Sequence, residues 1–369
     1  MHHATHISEL ITILQRYFNW NKARITCLAQ ILLGLFAVCT VNLSQLATTF
    51  SGNAKTSSTY KRLQRFLIWL SKQQRYQQMI TQLILSHVND EKFILSMDRT
   101  NWKFGAADIN ILVLGLWYRG VSIPLLWFCL NTAGNSNVEE KMRIIVDVLR
   151  EIPAQRIEYL FADREFVGGE WFAFLIKHKI PFSIRIKDCY YVRAYDNHGY
   201  YKTVTVKSLF SGLKKGISHR SKCIIFDQYE VALAACISVD GDLVVIATNT
   251  KKPRKALKAY KKRWSIETLF SCLKGRGFNF EDTHLTKSDR IESLLFILSL
   301  ATFWSMRAGE LSLVTEPFQL SSHGRPRTSI FRRGLNLIRR SIIQILFMLD
   351  RLIELFYLLD PDEPVKRRV

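Results

Sequence analysis

The sequence predicts an α/β protein in which a mixed sheet is preceded and followed by helical segments. Three observations lead to this prediction. Apolar residues recur at spacings of three and four before residue 80 and after residue 288, which is the period of amphipathic helices. Between these regions, short apolar runs bounded by glycines and acids indicate strands. A chain of 369 residues, 48% of them apolar, is also long enough for two or three compact units.

The first helical segment, residues 1–80, is predicted to be a DNA-binding domain. A short helix begins at Ser44, a turn follows at Gly52, and a second helix carries Arg62 and Arg65. This is the spacing of a helix-turn-helix unit with a basic second helix. A plain helical bundle with one solvated basic face is the open alternative, because such patterns are common.

The central region is predicted to form a sheet from three strands, a helix, a strand, a helix and a strand. This order is typical of a mixed sheet rather than a strictly alternating one. The predicted elements are strands 92–98, 109–118 and 121–130, helix 138–151, strand 157–163, helix 169–178 and strand 181–187.

An inserted β subdomain is predicted at residues 187–247, where polar and apolar residues alternate between turn signals. It divides the central core into residues 81–186 and 248–310. After the insertion, one long helix is expected from Pro253 to near Gly275. Residues 311–369 form a basic, helical C-terminal segment.

The charge balance indicates a polyanionic partner. Lys and Arg number 52 against 31 for Asp and Glu, which gives a net charge of +21. Nucleic acid is the simplest counter-charge. The seven scattered cysteines favour reduced thiols in a cytoplasm over a zinc site or disulfides. The longest apolar stretches, 31–43 and 294–304, are shorter than a spanning helix, so no membrane association is expected.

Two acids are predicted at matching places, Asp98 at the end of the first strand and Asp163 at the end of the fourth. Side chains at the carboxyl edge of an open sheet converge on ligands. Taken alone, either acid is more simply explained as a turn residue that ends its strand.

A third element is the helix that carries Tyr260, Arg263, Glu267 and Lys274. With about 100° of rotation per residue, the last three fall near 300°, 340° and 320° from Tyr260, so all four share an arc of roughly 60°. Without the two aspartates, an ordinary surface helix with a charged face would explain this pattern.

Together these residues resemble the signature regions of the DDE transposases of bacterial insertion sequences. The regions are Asp98-Arg99-Thr100, Asp163-Arg164-Glu165-Phe166 and Tyr260-x2-Arg263-x3-Glu267-x6-Lys274. The last spacing is that of the YREK signature of insertion-sequence family four. The resemblance implies an RNase H-like core split by a β insertion, cut-and-paste transposition, and a bacterial cytoplasmic, nucleoid-associated protein.

Asp98, Asp163 and Glu267 are the predicted catalytic residues and metal ligands. Three carboxylates without a neighbouring His or Cys form a hard-oxygen site suited to Mg²⁺, with Mn²⁺ as a substitute. Two such ions activate a water or a 3′-hydroxyl and stabilise the leaving oxygen of a phosphodiester.

The resemblance implies that Tyr260, Arg263 and Lys274 hold the DNA strand beside the cut. Arg offers a bidentate fork to phosphate and Lys a point charge. Tyr260 as the nucleophile of a tyrosine recombinase would need an activating Arg/His set, which the sequence does not supply.

A basic loop at residues 323–327 adds Arg325 and Arg327, and its extended Arg-Pro segment suits a minor groove. An ordinary exposed basic loop is the alternative. The expected partner is double-stranded DNA, both terminal inverted repeats and target, bound by a homodimer. Two other functions stay open: a nuclease with the same core that cuts without joining, and a non-catalytic DNA-binding derivative.

Overall fold

The computed structural model describes residues 7–130, 134, 136–195, 200–322 and 326–360. Its first 80 described residues are helical, as the sequence predicts. The short helix of the predicted helix-turn-helix unit is capped by Asn42, whose side chain accepts the Ser44 N–H. The helices of this region are α1 (Ser8–Tyr17), α2 (Lys22–Val38), α3 (Leu43–Thr48), α4 (Thr56–Ser71) and α5 (Tyr76–Ser86).

Ten strands follow, and they include the five that the sequence predicts for the core. Along the chain, helix α6 (Val138–Leu149) precedes the fourth strand and helix α7 (Gly169–Lys177) follows it. The short α8 (Val206–Leu209) follows the seventh strand. The strands are β1 (Phe93–Phe104), β2 (Ala107–Tyr118), β3 (Val121–Cys129), β4 (Ile157–Ala162), β5 (Phe182–Ile186), β6 (Tyr191–Tyr195), β7 (Tyr201–Thr205), β8 (Ile217–Ile225), β9 (Tyr229–Ile237) and β10 (Leu243–Thr248).

All ten strands belong to one sheet, in the order β3-β2-β1-β4-β5-β10-β9-β8-β6-β7. The pairs β1–β4 and β4–β5 are parallel, and the remaining pairs are antiparallel. The predicted insertion at 187–247 is antiparallel, as expected, but it extends the core sheet. Its last strand, β10, pairs with β5 and runs one residue past the predicted boundary.

The long helix expected from Pro253 is broken. It consists of α9 (Pro253–Tyr260), a 3₁₀ turn at Lys261–Arg263 and α10 (Trp264–Leu273). A 3₁₀ turn advances about 120° per residue instead of 100°, so three such residues shift the later side chains by about 60° around the axis. The single wheel used to align Tyr260 with Lys274 therefore does not hold along the whole segment.

Three helices complete the chain: α11 (Ser288–Thr315), α12 (Ile330–Ile343) and α13 (Ile345–Tyr357). The apolar stretch expected to end at residue 304 is part of α11, a continuous helix of 28 residues. Among the described residues, α11 has the length and composition of a membrane span, and so do α1 and α2 together, although they are bent by 115°. Of the most apolar window of α11, 89% is buried inside the protein, as in the core helix of a soluble domain.

The N-terminal helices share a hydrophobic core with α11. The ring centroid of Phe36 lies 5.0 Å from that of Trp304, and the centroid of Phe18 lies 5.5 Å from that of Phe296. All four of these rings are completely buried. The predicted helical region at 1–80 is thus built on the same core as the rest of the chain.

Candidate functional site

The two aspartates follow the last residue pair of the parallel β1–β4 ladder. That ladder ends where Met97 pairs with Ala162, and Asp98 and Asp163 come directly after them. Asp98 lies inside β1, not at its end as the sequence predicts, because β1 stays paired with β2 up to Phe104. Because β4 ends at Ala162, Asp98 and Asp163 still lie at the same edge of the sheet.

Both acids lie on the face of the sheet that α9 covers. Side chains alternate between the two faces of a strand, so Asp98 shares a face with Ile94 on β1. Ile94 belongs to a small buried cluster with Phe161 of β4 and with Leu257 and Tyr260 of α9. The helix that precedes Arg263 is therefore packed against the strands that carry the acids.

Tyr260 anchors the end of α9 to the end of β4. Its hydroxyl donates to the Ala162 carbonyl oxygen over 2.9 Å, and its ring packs edge-on against Phe161 at 5.6 Å. Burial raises the pKa of the Tyr260 hydroxyl above its usual range. The sequence predicts contact with DNA for this residue, but here its side chain is buried and its hydroxyl is bound beside Asp163.

Arg263 joins Asp98 to Glu267. One guanidinium nitrogen lies 3.4 Å from Oδ2 of Asp98, and another donates to Oε1 of Glu267, four residues along the chain. The Arg263 side chain is 10% exposed, against 16% for Asp98 and 33% for Glu267. Two of the three predicted catalytic carboxylates thus meet at one buried cation.

The Asp98 carboxyl has an unusual environment. Burial raises its pKa to about 6, and the charges of Glu165 and Asp163 act in the same direction. The Arg99 backbone N–H, 2.8 Å from Oδ1, and the Arg263 guanidinium oppose this increase. Asp163 contributes its charge to the surroundings of both Asp98 and Arg263, so it lies near them.

Asp163 begins the segment that follows β4, and it is partly exposed. Its side chain accepts the Arg164 backbone N–H over 2.7 Å and so caps a 3₁₀ turn at Arg164–Phe166. Among the described residues, no three His, Cys, Asp or Glu side chains are close enough together to hold a metal ion. In this structure the positive charge between Asp98 and Glu267 is that of Arg263.

Lys274 lies apart from the other signature residues. It caps the C-terminus of α10 with a non-helical backbone (ψ −135°), so the helical wheel does not describe its side chain. Its ammonium group pairs with Glu281 at 2.8 Å and donates to the Asn101 carbonyl oxygen at 3.4 Å. Asn101 is three residues beyond Asp98 on β1, about 10 Å along the strand.

Sequence reasoning missed two features beside the acids. Arg99 forms a bidentate pair with Glu165, at 2.7 and 2.8 Å, which ties the segment after β4 to β1. The signal was present, since each residue lies within two positions of a predicted catalytic aspartate. The second feature is Trp264, which directly follows Arg263 and is 63% exposed.

The other predicted DNA contacts have local partners. Arg62 donates to Gln30 at 3.0 Å, and Arg65 donates to the Lys61 carbonyl oxygen at 3.2 Å, both from the exposed face of α4. Arg327 is exposed in the loop before α12. Arg325 lies outside the described residues.

Comparison with known families gives one match. Residues 120–304, half of the chain, match the family model of the transposase DDE domain. The chain belongs to this family of DDE transposases. The matched range contains Asp163 and Glu267 and begins after Asp98. No curated protein matches the sequence.

A solved structure that resembles this transposase is described as a piggyBac transposase synaptic complex with hairpin DNA, determined by cryo-electron microscopy. The similarity covers 95% of this chain and 82% of the other, with a TM-score of 0.42 and 10% sequence identity. At this level of similarity, the comparison carries no argument about the site.

Proposed function

We propose that this transposase excises and integrates an insertion sequence by cutting and joining DNA at Asp98, Asp163 and Glu267. The proposal rests on one arrangement: Asp98 and Glu267 both pair with Arg263, and Asp98 and Asp163 directly follow the last residue pair of the β1–β4 ladder. These acids come from three separate parts of the chain. A surface helix and two unrelated turn residues would not be expected to meet in this way.

The site fits divalent cations in its donor chemistry. All three side chains offer carboxylate oxygens, the ligands that Mg²⁺ and Mn²⁺ prefer. The buried position of Asp98 and the nearby charges of Asp163 and Glu165 leave an excess of negative charge that favours a cation. When bound, two ions supply Lewis-acid activation of the attacking and leaving oxygens of a phosphodiester.

The surrounding residues hold these ligands in place. Tyr260 fixes the last residue of β4 beside Asp163, and the Arg99–Glu165 pair ties the same segment to β1. Arg263 pairs with both Asp98 and Glu267 and offsets part of their negative charge. If these carboxylates were to hold divalent ions, the planar guanidinium of Arg263 would be free to bind a DNA phosphate as a bidentate donor.

We also propose a family, a core fold and DNA contacts for this transposase. The signature spacing supports insertion-sequence family four and an RNase H-like core. Arg62 and Arg65 on α4 would contact the terminal inverted repeats, Arg325 and Arg327 a minor groove, and Lys274 the strand beside the cut. Two copies of the chain would act on the paired ends in the bacterial cytoplasm.

The test is a cleavage assay on a duplex that carries the element ends, with products resolved on a denaturing gel. We expect Glu267→Gln to abolish Mg²⁺-dependent cutting and to leave end binding nearly intact. The control is Asp147→Asn, which removes an α6 carboxylate paired with Arg150 at 2.9 Å. Mg²⁺-dependent cutting by the Glu267→Gln variant would refute the assignment.

The products also distinguish the competing functions. Ends joined to a target identify a transposition reaction, and cut ends without joining identify a nuclease. Binding without any product identifies a non-catalytic derivative. A plasmid that bears candidate inverted repeats supplies all three outcomes in one experiment.

A further inference from the structure

A second charged region lies at the opposite edge of the sheet, where β4 and β5 begin. It is a cleft bordered by the first residues of β4, by Pro181 before β5 and by the segment that leads into α9. Five lysines line this lysine cleft: Lys92, Lys179, Lys251, Lys252 and Lys255.

The charge of the lysine cleft is largely uncompensated. Its one carboxylate, Glu158, lies 3.7 Å from Lys255. Lys179, Lys251 and Lys252 are exposed, and none of them forms an ion pair with a described residue. Asp90 and Glu91 line an adjoining depression next to Lys92, so the other lysines carry most of the excess charge. Like charges gathered in a cleft favour an anionic partner.

Helix α9 connects the lysine cleft to the catalytic acids. Its first turn is held near the start of β4 by the Lys255–Glu158 pair, and its last residue bonds to the end of β4 through Tyr260. Its inner side is buried on the sheet through Ala256 and Leu257. Exposed basic side chains follow its outer side, namely Arg254, Lys258 and, in the next turn, Lys261.

We infer that the lysine cleft binds the sugar-phosphate backbone of the same DNA duplex that is cut at the acids. This inference rests on the proposed function. Glu158 and Asp163 are five residues apart on and just after β4, which is about 17 Å in an extended strand. Duplex DNA rises about 3.4 Å per base pair, so the contact lies about five base pairs from the scissile phosphate.

Duplex DNA fits the lysine cleft better than a small anion does. The lysines come from three separate segments and continue as a basic surface toward the acids, so the charge is spread along a path. Lysine ammonium groups contact phosphates as point charges and read no base sequence. The cleft would therefore strengthen binding to any flanking sequence.

The first test measures the affinity for a long end-bearing duplex at several salt concentrations, without divalent ions. The variant combines Lys179→Gln, Lys251→Gln and Lys252→Gln. Each lost phosphate contact reduces the magnitude of the negative slope of log K against log salt by about 0.9. We therefore expect the slope of the variant to be less steep by about 2.7. A fourfold rise in salt concentration should then reduce the DNA affinity of the native chain by a factor about 40 times larger than for the variant.

The matched control removes three exposed lysines from the other end of the sheet, by Lys202→Gln, Lys214→Gln and Lys215→Gln. This control has the same net charge as the cleft variant, and we expect it to keep the native slope. Equal slopes for the two variants would overturn the inference, because they would show a general effect of charge.

A duplex-length series locates the contact. We expect native affinity to rise once the duplex extends more than about five base pairs past the cut on one side, and the cleft variant to show no such rise. The same rise in the variant would overturn the inference. The salt slope is measured without divalent ions, so it does not depend on cleavage. A lysine-dependent slope, together with no cleavage when Mg²⁺ is added, would support the cleft and refute the proposed activity.

Discussion

The two charged regions of this transposase lie at opposite edges of one sheet and differ in how their charge is balanced. At the acid site, formed by Asp98, Asp163 and Glu267, a buried arginine is paired with two of the three carboxylates. In the lysine cleft, one glutamate faces five lysines. The arginine offsets part of the negative charge at the acid site, whereas three of the cleft lysines form no ion pair with a described residue. This difference agrees with the metal site that we propose at one edge and the phosphate contact that we infer at the other.

Removal of the Asp163 carboxylate tests the acid site directly and should have the largest effect on activity. Asp163→Asn should reduce strand cleavage to background, because the ligand set loses a charge. The Asn side chain keeps an oxygen that can accept the Arg164 N–H, so the fold should be retained. Cleavage rates on an end-bearing duplex measure the effect, with Glu170→Gln on α7 as the exposed control. Cleavage at a tenth of the native rate or more would contradict the role of Asp163.

Removing the internal cation should unbalance the acid site. Arg263→Met leaves Asp98 and Glu267 without their shared partner, and the free energy of unfolding should fall by about 3 kcal/mol. Added Mg²⁺ should restore part of this loss, and more than it adds to the native chain. Urea unfolding with and without Mg²⁺ measures both effects, and Arg254→Met on the exposed side of α9 is the control. An unchanged midpoint would show that Arg263 does not compensate these carboxylates.

Asp98 should make stability depend on pH. Burial raises its folded-state pKa to about 6 from the usual 3.8, so the charged form is disfavoured in the folded chain. The contribution of Asp98 to the free energy of unfolding is fully present below pH 3.8 and is lost as the pH rises to about 6. The loss is of the order of 3 kcal/mol at most. The difference in unfolding free energy between the native chain and Asp98→Asn, measured without divalent ions from pH 4 to 7, should follow this curve. A constant difference would contradict it.

The smallest expected effect concerns the anchor between α9 and β4. Tyr260→Phe removes the hydroxyl that donates to the Ala162 carbonyl oxygen and should lower the free energy of unfolding by about 1 kcal/mol. The exposed Tyr191→Phe should have no effect and serves as the control. Equal midpoints for the two variants in urea would mean that the hydrogen bond does not position the end of β4.

The sequence predicts those parts of the fold that depend on local pattern. The three strands before residue 130 and the helices on either side of β4 follow from apolar periodicity. The extension of β1 past Asp98 does not, because it depends on pairing with β2. The attachment of the inserted strands to the core sheet likewise depends on the pairing of β10 with β5, which no local pattern encodes.

Local spacing predicts one contact of the candidate site but not the others. Arg263 and Glu267 are four residues apart, and their side chains are paired as that spacing predicts. A single helical wheel does not describe Lys274, because the 3₁₀ turn and the non-helical cap change the direction of its side chain. Likewise, the burial of Tyr260 depends on Phe161 and Ala162, which are distant in sequence.

The proposed function requires that Asp98, Asp163 and Glu267 together bind divalent ions. Electron paramagnetic resonance counts the Mn²⁺ ions bound by the chain in complex with an end-bearing duplex. We expect two ions per native chain, and fewer for each of Asp98→Asn, Asp163→Asn and Glu267→Gln. Two bound ions in all three variants, or none in the native complex, would contradict the claim.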